Sequence, residues 1–384
     1  MENFSLICYY EAIKILNVEC IKLTAIGTYV LYYFVILSSS VISYFSGRFK
    51  SNRLAKWMLI SALIIPALIA GFRYNVGVDY ENYVNVYHNI TQRYYGMTDA
   101  ILNSRFEPGW IVINYIVKYI FNDVQYVFVI STFLTWLFAF KAIYDNRIRI
   151  SVGVAVLILL CTLYGVSFNI VRQVLAASVI MLAIKPMIDR KPLKFILTVL
   201  FASTFHLTAI IFLPAYWVIN SRFRYGNFLK RITMPLLFLG LVIFVQPVFS
   251  TLTSFELFST YSRYNLNFSG FYIRDVLLRI PIIILMLISA RKLKAQDNPM
   301  HKLIVLFIMG TILTTLASYA PYINRISMFF DVTQVFIVSA IIKAQTDKYV
   351  KLLYTYIIFI YYIAYFSYLF IFLGLHGTIP YQWN

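Results

Sequence analysis

From residue 24 to residue 373 the chain keeps returning to one pattern, an apolar run followed by a short polar gap. A continuous run of that length reads as a helix crossing a bilayer, whereas a membrane barrel would alternate over about ten residues. With 61% hydrophobic and 12% charged residues, the composition exceeds what a soluble core of this size uses. The runs at 24–46, 57–71, 124–143, 150–167, 170–188, 232–249, 276–290, 303–318, 323–343 and 352–373 predict ten full spans. The fold expected is therefore all-α, a polytopic membrane protein forming a single domain over 1–384. Residues 1–23 and the apolar stretch Trp110–Phe121 suit helices lying in the interface instead.

The gaps are not equivalent. Lysine and arginine gather in every second one: GRFKSNRLAK at 47–56, the stretch from Lys141 to Arg149, and Lys185 to Lys194. SRFRYGNFLKR at 221–231, Arg291 to Lys302, and Lys343 to Lys351 continue the series. These segments hold 22 basic and 4 acidic residues, so they carry the whole formal charge of +18. Basic loops on one side mark the cytoplasmic face. The excess charge thus belongs to a membrane and calls for no nucleic acid. The count also puts both termini outside.

One apolar stretch breaks this alternation. Residues 195–219 lie between two basic gaps, so a single crossing would put those gaps on opposite sides. The stretch is interrupted by Ser203-Thr204-Phe205-His206. A re-entrant hairpin restores the count, since eleven helical residues reach about 16 Å, half of a ~30 Å hydrocarbon core. His206 then stands at its buried tip. Broken helices at such depth need protein or a water-filled cavity around them.

Groups able to do chemistry collect on the side away from the basic gaps. GFRYNVGVDY at 71–80 brings Arg73 and Asp79, Glu107 precedes Pro108-Gly109-Trp110, and Arg172 opens a span in FNIVRQ. Arg263 lies in TYSRYN and Arg325 begins NRISMFFDV. An arginine at a helix start opposes the helix dipole, and two on one face suggest an anion held between guanidinium groups and free N–H groups. Plainer roles remain open: membrane anchor for the arginines, packing residue for His206, turn former for Asp79, helix-start charge for Glu107. Arg279 and Asp331, inside spans, suit an intramembrane pair. Cysteines at 8, 20 and 161 have neither disulfide nor metal spacing.

GFRYNVGVDYENY, FEPGW followed by INYIV, FNIVRQVLAASVIMLA and ASTFHLTAIIFL, in this order, resemble the EpsG-like branch of Wzy-type polysaccharide polymerases. The resemblance runs from about residue 70 to 215, with an echo at NRISMFF. It implies a bacterial inner-membrane glycosyltransferase that polymerises polyprenyl-pyrophosphate-linked oligosaccharide units at the periplasmic face, as in O-antigen or capsule synthesis. Loop 72–123 and hairpin 195–219 would form the site. Neither cofactor nor metal is expected; membrane lipid and a chain-length regulator protein are the further expected partners.

That chemistry separates an oxocarbenium-like sugar from a pyrophosphate, whose charge arginines can stabilise. The candidates are Arg172, Arg325 and Arg73, with Arg263 behind them. Glu107, Asp79 and His206 are candidates to accept the proton of the acceptor hydroxyl. Competing expectations are an O-antigen ligase-type transferase, a flippase or transporter of the lipid-linked unit, and an acyltransferase with His206 as base.

Overall fold

The computed structural model describes residues 21–49, 51–220, 273–316 and 322–383. The segment at 1–20, the span expected at 232–249 and Arg263 lie outside the described residues. The helices, in order, are α1 Ala25–Ser46, α2 Asn52–Gly71, α3 Tyr80–Arg93, α4 Met97–Asn103, α5 Pro108–Ile120, α6 Gln125–Asp145, α7 Val152–Leu163 and α8 Val171–Ile188. There follow α9 Pro192–Ser203, α10 Ala215–Asn220, α11 Ile273–Leu277, α12 Ile280–Ala295, α13 Ile304–Leu316, α14 Tyr322–Asp331, α15 Thr333–Lys343 and α16 Lys348–Phe366. The protein is all-α but for one two-residue pairing, β1 Ile21–Lys22 with β2 Gln382–Trp383.

Among the described residues, six helical stretches are long and apolar enough to cross a membrane: α1, α2, α6, α8, Arg325–Lys343 and Lys348–Phe372. Others expected as full crossings are shorter. The run at 150–167 forms only the twelve-residue α7 and, after a turn, a 3-10 turn at Val166–Phe168. Its side chains are apolar all round and buried on nearly every side, as suits a central helix. Close packing there depends on small residues. A Cβ at Gly153 would stand 2.9 Å from Tyr44 Cα and 3.0 Å from Ser40 O, so only glycine lets α7 lie this near α1.

The stretch at 195–219 does turn back. Helix α9 ends at Ser203, the chain breaks at Thr204-Phe205-His206, and a 3-10 turn at Leu207–Phe212 leads into α10. Phe195 and Tyr216 then meet with ring centroids 5.3 Å apart. Asn220 Nδ2 donates to Met187 O at 2.9 Å, so the chain returns to the end of α8 from which it left.

The two ends of the bundle differ in kind. At one, the basic gaps are bonded to each other: Arg149 Nη2 to Asp189 Oδ1 at 2.9 Å and Lys343 Nζ to Arg147 O at 2.7 Å. Arg147 Nη2 to Asn52 Oδ1 at 3.1 Å and Asn298 Nδ2 to Arg149 O at 2.9 Å extend this. At the other end β1, β2 and the loop after α2 meet, with Tyr74 N–H donating to Gln382 O at 2.9 Å. Both ends of the described chain therefore reach the same face as the loop carrying Arg73 and Asp79.

Candidate functional site

Glu107 stands at the N-cap of α5, ahead of Pro108, yet its side chain makes no capping bond to that helix. The carboxylate turns instead to the break in the hairpin. Oε1 accepts from the Leu207 N–H at 3.1 Å and lies 3.3 Å from His206 Nδ1, close enough for an ion pair but poorly aligned for a hydrogen bond. Oε2 accepts from Arg172 Nη1 at 2.6 Å. One carboxylate thus joins the start of α5, the tip of the hairpin and the start of α8.

The backbone holds this junction closed. Gly109 N–H donates to Thr204 O at 2.8 Å, and a Cβ on Gly109 would fall 2.7 Å from Thr204 Oγ1. The Arg172 guanidinium lies over the Phe106 ring at 5.3 Å and interacts with the Tyr83 hydroxyl. Burial raises the Tyr83 hydroxyl above its ordinary value, with Arg172 opposing it. Burial alone would also raise Glu107. The polar contact from His206 and the charge of Arg172 outweigh it and hold the carboxyl down at about 2. Glu107 is therefore ionised at neutral pH. No hydrogen bond to His206 Nε2 occurs among the described residues.

Next to Arg172, Gln173 Nε2 donates to the carbonyl of Arg325. Arg325 is exposed and has no ion pair among the described residues. It lines a half-open cavity of about 510 Å³, together with Asp79, His376 and the pair Arg279–Asp331 at 2.5 Å. Asp79 reaches this wall through Asn169, whose Oδ1 accepts from the Asp79 N–H at 3.2 Å. Gly77, at φ +100°, passes so close that a Cβ would lie 2.7 Å from Phe168 O.

Arg73 is placed differently. It is 0% exposed, with Nε donating to Val76 O at 3.2 Å, Nη2 to Phe168 O at 3.1 Å and Nη1 to Ala70 O. Its guanidinium lies 4.6 Å from the Phe128 ring centroid and 5.0 Å from that of Phe168. The bonds to Ala70 and Phe168 tie the loop after α2 to the bundle, the bond to Val76 closes the loop on itself, and the side chain is fully enclosed. Of the residues singled out in the sequence, the structure brings together Glu107, His206 and Arg172. It sets Asp79 and Arg325 around the adjoining cavity and encloses Arg73 in the protein. Tyr83, Asn169 and His376 were missed. Only Asn169 had a sequence cue, its place in a turn too short for anything but direct structural use. Among the described residues, no three His, Cys, Asp or Glu side chains group as a metal site.

No curated protein and no solved structure matches the chain. The EpsG family model matches residues 56–383, which include the loop, the hairpin, α8 and the segment bearing Arg325. The chain belongs to the EpsG family of Wzy-like polysaccharide polymerases.

Proposed function

We propose that the protein polymerises polyprenyl-pyrophosphate-linked oligosaccharide repeat units at the periplasmic face of the bacterial inner membrane. The observation that carries this is the Glu107 carboxylate shared between Arg172 and His206 at the break of the hairpin. It unites a fixed cation, a base and the carboxylate that orients both, on the face away from the basic gaps.

The roles follow from the electrostatics. A carboxyl held at about 2 is a weak base, so Glu107 serves to orient. His206, whose Nδ1 faces the Glu107 carboxylate, keeps Nε2 for the acceptor hydroxyl. In the reaction the bond between the donor sugar C1 and its pyrophosphate oxygen breaks, and a bond from C1 to the acceptor oxygen forms. The hydroxyl proton passes to His206. Negative charge grows on the departing pyrophosphate, where Arg172 and Arg325 stabilise it; each contact is worth about 3–4 kcal/mol in a preorganised site. Arg73 holds the loop and does not touch the phosphate. The two lipid tails stay in the outer leaflet, and no nucleotide sugar takes part.

The test is deletion of the gene in its host, with surface glycan resolved on a gel. The expected result is single repeat units alone, restored to a ladder by the intact gene but not by Arg172→Ala or His206→Ala at equal membrane abundance. A full ladder from Arg172→Ala would remove that residue from the chemistry. A flippase would draw on the Arg279–Asp331 pair in the cavity wall. In that case the deletion strain would accumulate lipid-linked units on the cytoplasmic side. Finished polymer left on carrier lipid would mean a ligase.

A further inference from the structure

Beyond the Gln173–Arg325 link lies the half-open cavity of about 510 Å³, a volume usual for small-molecule sites. Three arginines line it, Arg274, Arg279 and Arg325, and so do three aspartates, Asp79, Asp275 and Asp331. Their formal charges cancel. Four of the six are consumed within the wall: Arg274 Nε meets Asp275 Oδ1 at 2.8 Å and Arg279 Nη2 meets Asp331 Oδ2 at 2.5 Å. What remains is the Arg325 guanidinium, the Asp79 carboxylate and the His376 imidazole. None of the three has a side-chain hydrogen bond or ion pair among the described residues.

A site built for pyrophosphate would carry surplus positive charge. This one offers a donor, an acceptor and a group able to be either. Sugar hydroxyls donate and accept at once, so such a set matches a polyol better than an anion. Tyr365 and Phe370 add apolar surface to the same wall, as suits the C–H face of a sugar ring.

The backbone around His376 points the same way. His376 has φ +73°, in the left-handed region that few residues other than glycine occupy and that histidine enters more readily than most. Gly374 and Gly377, at +57° and +59°, flank it. The strain is held by two bonds to the His376 carbonyl, from Asn169 Nδ2 at 2.8 Å and from the Val78 N–H at 3.3 Å. A residue kept in such a conformation by surrounding bonds, at the edge of a cavity, marks a functional position.

We propose that this cavity is a glycan subsite, in which Asp79 and His376 bind hydroxyl groups of the oligosaccharide while Arg325 stands at its boundary with the pyrophosphate. The identity of the sugar as a lipid-linked repeat unit rests on the polymerase reading; the subsite itself rests on the cavity. Asp79 and His376 are carried by segments outside the long helices: the loop after α2 and the segment at 373–383.

The experiment uses the full chain in lipid nanodiscs, with its native cysteines replaced by serine. The probe is the oligosaccharide released by mild acid from the host's own surface polysaccharide, which carries no pyrophosphate. Val78 is 76% exposed and lines the cavity, so Val78→Cys reports occupancy by its labelling rate with a polar maleimide. Tyr95→Cys, at a fully exposed position outside the lining, is the control. The glycan is expected to slow labelling of Val78→Cys about tenfold and to leave Tyr95→Cys unchanged. Adding Asp79→Asn or His376→Gln should raise the protecting concentration by roughly tenfold to a hundredfold, the worth of one hydrogen bond to a charged or imidazole partner. Equal labelling with and without glycan overturns the subsite, as does protection by inorganic pyrophosphate where the glycan gives none. Protection by glycan together with a normal ladder in the deletion strain would sink the polymerase reading and leave the subsite standing.

Discussion

Glu107→Gln isolates the charge at the junction. The amide has nearly the same shape and keeps an oxygen for the Leu207 N–H, but it cannot balance Arg172 or His206. The side chain of Glu107 is only 12% exposed, so solvent screens the interaction little. Holding this carboxyl at about 2 instead of its usual 4.5 corresponds to about 3 kcal/mol at neutral pH. That is roughly a hundredfold in the population of the assembled junction. Polymer formation per molecule of protein in the membrane should fall by about that factor, measured in a host lacking the native gene. Purified Glu107→Gln should also melt several degrees below the parent protein at pH 7. The sign with pH is fixed because the folded carboxyl is depressed. Its contribution is complete above about pH 4.5 and is lost as pH falls toward 2. The difference in melting should hold steady from pH 8 to 5.5 and narrow below 4.5. Normal ladders from Glu107→Gln, or melting equal to the parent at pH 7, would refute the reasoning.

Gly109→Ala should abolish the ladder with the protein still abundant, since its Cβ would meet Thr204 at 2.7–2.8 Å and part α5 from the hairpin. Full-length polymer from that variant would show that the junction tolerates separation. Arg73→Ala should fail earlier. It leaves buried carbonyls of Ala70, Val76 and Phe168 without their donor, at a cost of about 3 kcal/mol or more, so the protein should be lost from the membrane fraction on quantitative blotting. Stable Arg73→Ala protein without polymer would return Arg73 to the chemistry. With native cysteines removed, Asn82→Cys should label from the periplasm and Ile148→Cys, 79% exposed at the basic end, only after the membrane is opened. The reverse pattern would invert the topology.

The sequence revealed that 195–219 turns back because this follows from where lysine and arginine sit between apolar runs. Among the described residues, the gaps that share the charge do meet in space, through Arg147, Arg149 and Lys343. The exact crossings were less legible. The run at 150–167 is uniformly apolar, and nothing in its composition separates a full crossing from the short buried α7. Within the site, the candidates could be named but not paired. Glu107 and Arg172 are 65 positions apart, and their bond depends on how α5, α8 and the hairpin pack. Arg73 misled for a physical reason: an arginine beside a membrane loop looks alike whether its donors face a phosphate or three carbonyls. His376 carried no local signal, because its place is fixed by partners at Val78 and Asn169, far back in the chain.

The clasp at the site end also has a consequence for biogenesis. Tyr381, Gln382 and Trp383 bond back to Leu23, Tyr74 and Arg73, and Thr378 O accepts from Tyr32. Every described helix precedes this segment in the chain, so a ribosome delivers the whole bundle before the clasp can close. An unfinished chain already seated in the membrane holds Glu107, Arg172 and His206 but lacks His376 and the bonds that steady the loop of Asp79. For the experimenter the same arrangement warns that a change at Gln382 or Trp383 acts on the loop bearing Arg73 and Asp79.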